Sequence, residues 1–199
     1  MILSDQTILK KLKKQEIKIK PIPKPEQIQP SSIDLRLGNE YLTPIPQQET
    51  IDIKNNEPKY QHLTGDAIML PAGEFILATT KEWIELPADL IARVEGRSSI
   101  GRLGVAIHVT AGFIDAGFKG NITLEIKNLS YNNIILYEDM RIAQIVFEQL
   151  DGIPNRIYGE AGNKYFGQKG VTGSLIYWDE DNDKLGINED VKMLQKKVD

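Results

Sequence analysis

The sequence predicts an all-β domain, either a sandwich or a barrel, with short helices at its periphery. Apolar and polar residues alternate in several short segments, as Ile33, Leu35 and Leu37 do around Asp34 and Arg36. Gly and Pro separate these segments at short intervals, a spacing that favours antiparallel sheets over a βαβ fold. At 199 residues, of which 41% are apolar, the chain suits one domain with a core of its own.

The predicted elements follow one another closely. A helix is expected over residues 4–14, with Ser4 at its N-cap and one apolar side formed by Ile8, Leu9 and Leu12. Prolines at positions 21, 23 and 25 then enforce an extended connection. The first strand begins at residue 32 and ends at Gly38-Asn39. Further strands are predicted at 75–79, 90–94, 121–127, 134–137 and 142–147, with one helical turn at 98–103.

The chain becomes polar and Gly-rich after Leu150. Residues 155–178 are therefore predicted to form a mobile arm or lid, which ends a single domain of residues 1–178. Residues 179–199 are charged, with only a weak helical pattern, and are expected to be a peripheral tail.

Composition excludes several classes of protein and site. The net charge of -4 leaves no basic excess to neutralise a phosphate backbone, so no nucleic-acid partner is expected. The absence of cysteine excludes disulfides, thiol chemistry and Cys-containing zinc sites. No apolar run reaches membrane-spanning length, and the N-terminus lacks the apolar core of a signal peptide. We therefore expect a cytoplasmic protein without a membrane partner.

A cationic, hydroxyl-rich turn occupies residues 97–102. Arginine provides a charged planar fork for phosphate, serine hydroxyls and turn amides provide shorter contacts, and glycine lets the backbone approach a ligand. The run is not a Walker motif, because G-x-x-x-x-G-K-[ST] is absent. By spacing alone it is either a phosphate site or a surface turn with a helix cap. Its residues are Arg97, Ser98, Ser99, Ile100, Gly101 and Arg102.

Two carboxylates follow this turn. Asp115 lies in a Gly-rich turn, where it either hydrogen-bonds its own backbone or presents its carboxylate to a sugar hydroxyl or a water. Glu125 shares one strand face with Thr123, opposite the apolar face formed by Ile122 and Leu124. That outer face is either merely solvated or holds a general base in a partly enclosed pocket.

Two further polar residues are singled out. His108 and His62 are isolated histidines that make no metal site, and His108 is expected to have a structural role at a strand end. Gln144 interrupts an apolar strand, either as a satisfied core amide or as a ligand contact.

Several motifs occur in a fixed order along residues 1–177. They are Gln29 to Gly38, Gly96 to Arg102, Thr110 to Phe118 with Gly120, Ile122 to Glu125, Arg141 to Gln144, Tyr158-Gly159, and Lys164-Tyr165 ahead of Gln168. With this order and spacing, the sequence resembles the dCTP deaminase branch of the dUTPase-like superfamily. The resemblance implies a distorted jelly-roll β-barrel in a homotrimer with active sites shared between subunits. It also implies zinc-independent deamination of dCTP, which agrees with the missing cysteines and the missing zinc-deaminase patterns.

The resemblance implies a role for each candidate residue. Glu125 would be the general base that takes a proton from the water attacking C4 of the cytosine ring. Ser98 and Arg102 would hold and polarise that water and the base, and Asp115 would lie near the deoxyribose. The arm would close over the triphosphate and exclude water. The other implied substrate contacts are Arg97, Ser99, Lys164 and Gln168 at the phosphates, Thr123 and Leu124 at the base, Ile100 and Gly101 in the turn, and Gln144 and Tyr158 elsewhere on the nucleotide.

The two residues before Ile114-Asp115 point to a second activity. Members that only deaminate typically carry His-Arg there, whereas this chain has Gly112-Phe113, as in bifunctional members that convert dCTP to dUMP. In those members, hydrolysis between the α- and β-phosphates follows deamination. Asp115 would orient the attacking water, and Mg²⁺ held mainly by the triphosphate would offset charge on the leaving pyrophosphate. The dUMP would supply dTTP synthesis, and dTTP is an expected inhibitor.

Three alternatives remain open. The first is a deaminase that stops at dUTP, and the second is a dUTPase that does not deaminate. The third is a non-catalytic nucleotide-binding trimer that senses pyrimidine pools. Analysis of the products formed from dCTP identifies the first, and a test for ammonia release from dCTP decides on the second. The third predicts tight binding of dCTP or dTTP without turnover.

Overall fold

The structure is a computed structural model that describes residues 1–46, 51, 53, 57–160 and 163–179. Of the predicted tail, only Asp179 belongs to the described residues. The chain divides into two compact units, Met1–Pro44 with Tyr60–Gly173 and Ile45–Lys59 with Ser174–Asp199. Every predicted site residue lies in the first unit. The boundaries of the single domain expected over 1–178 stay a prediction.

The described residues form two α-helices, twelve strands and two short 3₁₀ turns. The helices are α1 (Asp5–Lys13) and α2 (Ser98–Gly101), and the 3₁₀ turns are Pro25–Gln27 and Ile176–Trp178. The strands are β1 (Lys18–Lys20), β2 (Ile28–Gln29), β3 (Ser32–Pro44), β4 (Tyr60–Thr64), β5 (Ala67–Leu70), β6 (Phe75–Glu85), β7 (Leu90–Gly96), β8 (Val105–Ile107), β9 (Phe113–Ile114), β10 (Lys119–Asn128), β11 (Ile134–Tyr137) and β12 (Arg141–Gln149).

Ten of these strands form one sheet within the first unit, and all of its pairings are antiparallel. The order is β8-β10-β6-β3-β12-β7-β9, with β1 beside β6 and with β2 and β4 beside β3. Strands β5 and β11 form a separate two-stranded ribbon. The prediction of an all-β fold with short peripheral helices is confirmed. In the described part of the chain, no helix has the length and apolar character needed to cross a bilayer.

Strand β10 shows how alternation in the sequence produces a buried face and an open face. Ile122, Leu124 and Ile126 are buried, whereas Thr123 and Glu125 between them are half-buried. Each fully buried Leu or Ile side chain contributes about 1.5–3 kcal/mol relative to exposure, so the inward set fixes the register of the strand. Strand β11 has the predicted bounds, and the other predicted strands are present but longer.

The predicted end of the first strand at Gly38-Asn39 is wrong, because β3 continues to Pro44. A Cβ atom at Gly38 would lie 2.5 Å from Thr79 Cγ2 on β6. Glycine therefore lets the two strands approach closely where their register shifts between Leu37 and Tyr41. A glycine in a strand pattern marked a close contact here, not a strand end.

The N-terminal helix is confirmed as α1, but its apolar side is narrower than predicted. Ile8 is fully buried and Leu12 packs partly against the core, whereas Leu9 is 48% exposed. Ser4 occupies the N-cap position without a side-chain cap bond, and its Oγ lies 3.4 Å from Thr7 Oγ1 instead. The predicted helical turn at 98–103 is also present, as the four-residue α2.

The described part of the second unit is small. The backbone N–H of Ile45 donates to the carbonyl of Lys59 at 2.9 Å. The rings of Tyr177 and Trp178 meet edge to face with centroids 5.8 Å apart.

Candidate active site

Glu125 is held by a residue on the connection between β8 and β9. Its Oε2 accepts hydrogen bonds from the backbone N–H of Thr110 at 2.8 Å and from the Thr110 hydroxyl at 2.9 Å. Its Oε1 makes no hydrogen bond to any described residue. The carboxylate is therefore oriented through one oxygen, while the other oxygen is available to a ligand or a water.

His108 fixes the backbone beneath the same residue. Its Nδ1 accepts a hydrogen bond from the backbone N–H of Glu125 at 2.9 Å, so Nδ1 carries no proton in this arrangement. Burial lowers the pKa of His108, while the nearby Glu125 carboxylate and a hydrogen bond to the Ala111 backbone oppose that shift. The imidazole is consequently neutral near pH 7. It thus has a positioning contact with Glu125, beyond the strand-end role expected from the sequence.

The Arg97–Arg102 turn forms α2 and presents its polar side chains outward. Ile100 is buried and anchors the turn, whereas Ser98, Ser99, Gly101 and Arg102 are exposed. The side chains of the two serines and Arg102 make no hydrogen bond to any residue that the structure describes. This face is open to a ligand or to another protein chain.

The side chain of Arg97 forms an ion pair with the buried carboxylate of Asp34. Asp34 is 2% exposed, and its Oδ2 lies 3.3 Å from Arg97 Nε and 3.1 Å from Arg141 Nη1. Arg97 Nη1 also donates to the carbonyl of Arg141 at 3.1 Å. Two contacts thus fix the Arg97 guanidinium, which lowers the entropy lost when its remaining N–H groups bind an anion.

Sequence reasoning did not assign a site role to Asp34. Asp34 alternates with apolar residues in the sequence, yet it is almost completely buried. The available signal was a charged residue between the apolar Ile33 and Leu35.

Gln144 lies next to this ion pair. It is directly opposite Asp34 in the β12–β3 register and is half-buried. Its Oε1 accepts a long hydrogen bond from Ser32 Oγ at 3.5 Å. Both interpretations of Gln144, core amide and ligand contact, are compatible with this position.

Asp115 lies at the turn between β9 and β10 and is exposed. Its backbone carbonyl, not its carboxylate, accepts the hydrogen bond that closes the turn, from Phe118 N–H at 3.2 Å. The carboxylate makes no hydrogen bond to any described residue. It faces a cleft of about 420 Å³ that Phe113 and Tyr158 also line.

The backbone at Gly112 packs too closely against β7 to leave room for a side chain. Its carbonyl accepts a hydrogen bond from Val94 N–H at 2.8 Å, and a Cβ at this position would lie 2.7 Å from the Val94 carbonyl oxygen. The neighbouring Phe113 is 58% exposed. The segment before Asp115 therefore lies tightly against β7, with an apolar ring, not a cationic side chain, beside the cleft.

The predicted arm is docked on β10 of its own chain. The carbonyl of Gln168 accepts from Asn121 N–H at 3.0 Å, and its Nε2 donates to the Asn121 carbonyl at 2.6 Å. Further along, the backbone N–H of Thr172 donates to Thr123 Oγ1 at 3.0 Å. The arm thus contacts the same strand face that carries Glu125. Lys164 is half-buried within this segment.

The structure brings the predicted residues together in three groups. Glu125 and Thr123 share a face with the docked arm, Asp115 shares the cleft with Tyr158, and Arg97 pairs with Asp34. Within the described residues, no hydrogen bond joins the Arg97–Arg102 turn to Glu125. Leu124 is buried, which leaves only its backbone to contact a ligand.

A family model for the dCTP deaminase-like domain matches residues 2–150. This chain belongs to the dCTP deaminase-like family. It is 46% identical to the dUMP-forming dCTP deaminase of Dictyoglomus turgidum over 184 residues, which cover 88% of this chain and 95% of that protein. It is 48% identical to the dUMP-forming dCTP deaminase of Methanothermobacter thermautotrophicus over 177 residues, covering 84% of this chain and 89% of that protein.

The fold of this family member is also seen in a solved structure. The 2′-deoxycytidine 5′-triphosphate deaminase of Agrobacterium tumefaciens superposes with a TM-score of 0.60 at 24% identity. The match covers 74% of this chain but 48% of that chain, so this protein spans about half the length of the solved one. At this identity the likeness supports the fold.

Proposed function

We propose that this protein deaminates dCTP without zinc and then hydrolyses the bond between the α- and β-phosphates, releasing dUMP, ammonia and pyrophosphate. The geometry of Glu125 is the observation that carries the proposal. A half-buried carboxylate with one oxygen fixed by Thr110 and the other without a described partner suits a general base. The names of the relatives at 46% and 48% identity support the same reaction.

Deamination begins with a water beside Glu125. Oε1 accepts a proton from that water as its oxygen bonds to C4 of the cytosine ring. The proton then passes to the exocyclic amino group, and the C4–N bond breaks to release ammonia. Two donors on Oε2 keep the carboxylate in one orientation throughout, so the base does not have to reorganise during the step.

We infer that Ser98 and Arg102 act in the site of a neighbouring subunit of a homotrimer. Both side chains are exposed and make no hydrogen bond to the described part of their own chain. There they would hold and polarise the water and the base, and the exposed hydroxyl of Ser99 would contact phosphate. Arg97, already held by Asp34, would present its remaining N–H groups to the triphosphate.

Phosphate hydrolysis would use Asp115, whose free carboxylate faces the cleft next to Phe113. It would orient the water that attacks the α-phosphorus. Among the described residues, no group of three or more His, Cys, Asp or Glu is placed to hold a metal ion. Mg²⁺ usually binds through one or two carboxylates together with substrate phosphates, so the triphosphate would bring it, and the ion would offset charge on the leaving pyrophosphate.

The arm would complete the site from the same chain. Tyr158, Lys164 and Gln168 belong to a segment that already contacts β10 and the Asp115 turn. In the presence of the nucleotide, this segment would cover the triphosphate and exclude water. We also expect dTTP, the downstream end product, to compete for this site.

Product analysis tests the proposal. Purified protein is incubated with Mg²⁺ and either dCTP or dUTP, and nucleotides, ammonia and pyrophosphate are measured over time. Equal release of ammonia, pyrophosphate and dUMP from dCTP is expected. Accumulation of dUTP without pyrophosphate identifies a deaminase only, and dUMP from dUTP without ammonia from dCTP identifies a dUTPase only. Tight binding of dCTP without turnover identifies a nucleotide sensor.

A further inference from the structure

The cleft beside the Asp115 turn contains a cation that none of the roles above uses. Asp115, Tyr158, Asn163 and Arg156 provide its polar lining, and the rest of the lining is apolar, including Phe113. Asn163 Oδ1 accepts a hydrogen bond from Gly159 N–H at 2.8 Å, and the amide N–H groups of its side chain donate to no described residue. Apolar walls with one cation at the edge suit a deoxyribose and the phosphate attached to it.

The segment that carries Arg156 is fixed against the Asp115 turn. The backbone N–H of Tyr158 donates to the carbonyl of Ala116 at 2.9 Å. Gly117 has φ +87°, and a Cβ there would lie 2.1 Å from Ile157 Cγ2, so the two segments are packed without space for a side chain. The position of Arg156 relative to Asp115 is therefore set by direct backbone contact.

Arg156 also differs from most arginines of this protein in having no carboxylate partner among the described residues. Four of the six arginines form ion pairs with described carboxylates. Arg156 and Arg102 form none within the described residues, and both are exposed. The family resemblance already implies a role for Arg102 with the substrate. Arg156 is therefore a second arginine that is available to bind an anion, and it lines a cleft.

We propose that Arg156 binds the α-phosphate of the nucleotide and serves the phosphate step, not deamination. This inference rests on the proposed function. With the sugar beside Asp115, the α-phosphate is the next group along the substrate. The planar guanidinium can contact two non-bridging oxygens at once.

The step balances with water as the only co-reactant. The water oxygen bonds to the α-phosphorus, and its proton leaves by way of Asp115 to solvent. The bond from the α-phosphorus to the bridging oxygen breaks, and pyrophosphate departs with the electron pair. Negative charge on the oxygens of the α-phosphorus is concentrated in the transition state, where Arg156 would stabilise it.

The test compares Arg156→Gln with the intact protein, using dCTP and dUTP with Mg²⁺. We expect ammonia release from dCTP to stay within about twofold, because C4 lies at the opposite end of the nucleoside. We expect dUMP formation from either substrate to fall about 10²-fold, so that dUTP accumulates. Arg156→Lys should recover part of the rate of dUMP formation, since it keeps the positive charge but lacks the planar guanidinium. Both variants should fold, because the side chain is exposed.

Lys10→Gln provides the matched control, since it removes one exposed positive charge on α1, far along the sequence from the cleft. Its ratio of dUMP to dUTP should equal that of the intact protein. The inference is overturned if Arg156→Gln keeps the original product ratio, or if ammonia and pyrophosphate release fall together. Should the unmodified protein itself form dUTP and no dUMP, the proposed function has failed in its second step, and the variant is not the cause.

Discussion

Thr110 donates two hydrogen bonds, one from its backbone and one from its hydroxyl, to the same oxygen of Glu125. The backbone bond survives any substitution except proline, so the hydroxyl can be tested separately. Thr110→Val keeps the shape and removes one donor from an ionised carboxylate. A hydrogen bond to a charged group contributes about 1.5–3 kcal/mol, so we expect the rate of ammonia release to fall by about 10-fold or more.

Thr110→Ser is the matched control for that change. It retains the hydroxyl and should keep most of the rate, because the same donor still reaches Glu125 Oε2. The measurement is single-turnover ammonia release, together with a thermal unfolding curve. Equal loss of rate in the Ser and Val variants would show that the methyl group, and not the hydrogen bond, matters.

Glu125→Gln should abolish ammonia release while the nucleotide still binds. The amide keeps the shape of the side chain but cannot accept the proton of the attacking water, and general-base catalysis is typically worth about 10²–10⁴-fold. Binding of dCTP, measured by calorimetry, should change little. Because the phosphate step is assigned to Asp115, hydrolysis of added dUTP should persist in this variant. Full deamination by Glu125→Gln would refute the assigned role.

Asp34→Asn should weaken both the fold and triphosphate binding. Asp34 is buried and faces two arginines, whose side chains are 25% and 37% exposed. Losing one partner of a fully buried ion pair costs about 3–5 kcal/mol, and the partial exposure of Arg97 and Arg141 reduces this to about 2 kcal/mol. Denaturant unfolding measures that loss.

The effect of Asp34→Asn on nucleotide affinity distinguishes a role in positioning Arg97 from a purely structural role. If Asp34 orients Arg97, affinity should fall more for dCTP than for deoxycytidine, which has no phosphates for Arg97 to bind. A purely structural role would lower both affinities by the same factor, and that outcome would contradict the positioning role.

The sequence was sufficient for those parts of the fold that depend on local pattern. Period-two alternation located β10, since burial of Ile122, Leu124 and Ile126 on one face dictates both the strand and its orientation. The end of β3 was misplaced, because only the neighbouring Thr79 on β6 shows that Gly38 is a point of close approach.

The site was less predictable, for a physical reason. Its motifs indicated Glu125 and Asp115, but the partners of those residues depend on which strands lie side by side. Thr110 reaches Glu125 because β8 pairs with β10, and Asp34 reaches Arg97 because β12 lies between β3 and β7. Such pairings arise from the packing of the whole sheet, and no local spacing encodes them.

His108 should make folding stability depend on pH below about 6.5. Burial lowers its pKa from the ordinary value of 6.5, so between the lowered value and 6.5 the unfolded chain binds a proton that the folded chain does not. Stability therefore rises with pH across that window, is complete above it, and is lost as the pH falls through it. Protonation at Nδ1 would also remove the acceptor for the Glu125 amide.

The matched pair for this prediction is His108→Asn and His62→Asn. Asparagine at 108 retains an acceptor near the position of Nδ1 but does not titrate. The free energy of unfolding should therefore depend less steeply on pH below 6.5 than in the unmodified protein. His62 is exposed and is the other histidine of the chain. Its Nε2 lies 3.4 Å from Glu40 Oε2, and its replacement leaves the acceptor for the Glu125 amide in place. The prediction is contradicted if His62→Asn changes the pH dependence of the unfolding free energy and His108→Asn does not. The contact between His108 and Glu125 would then make no pH-dependent contribution to stability.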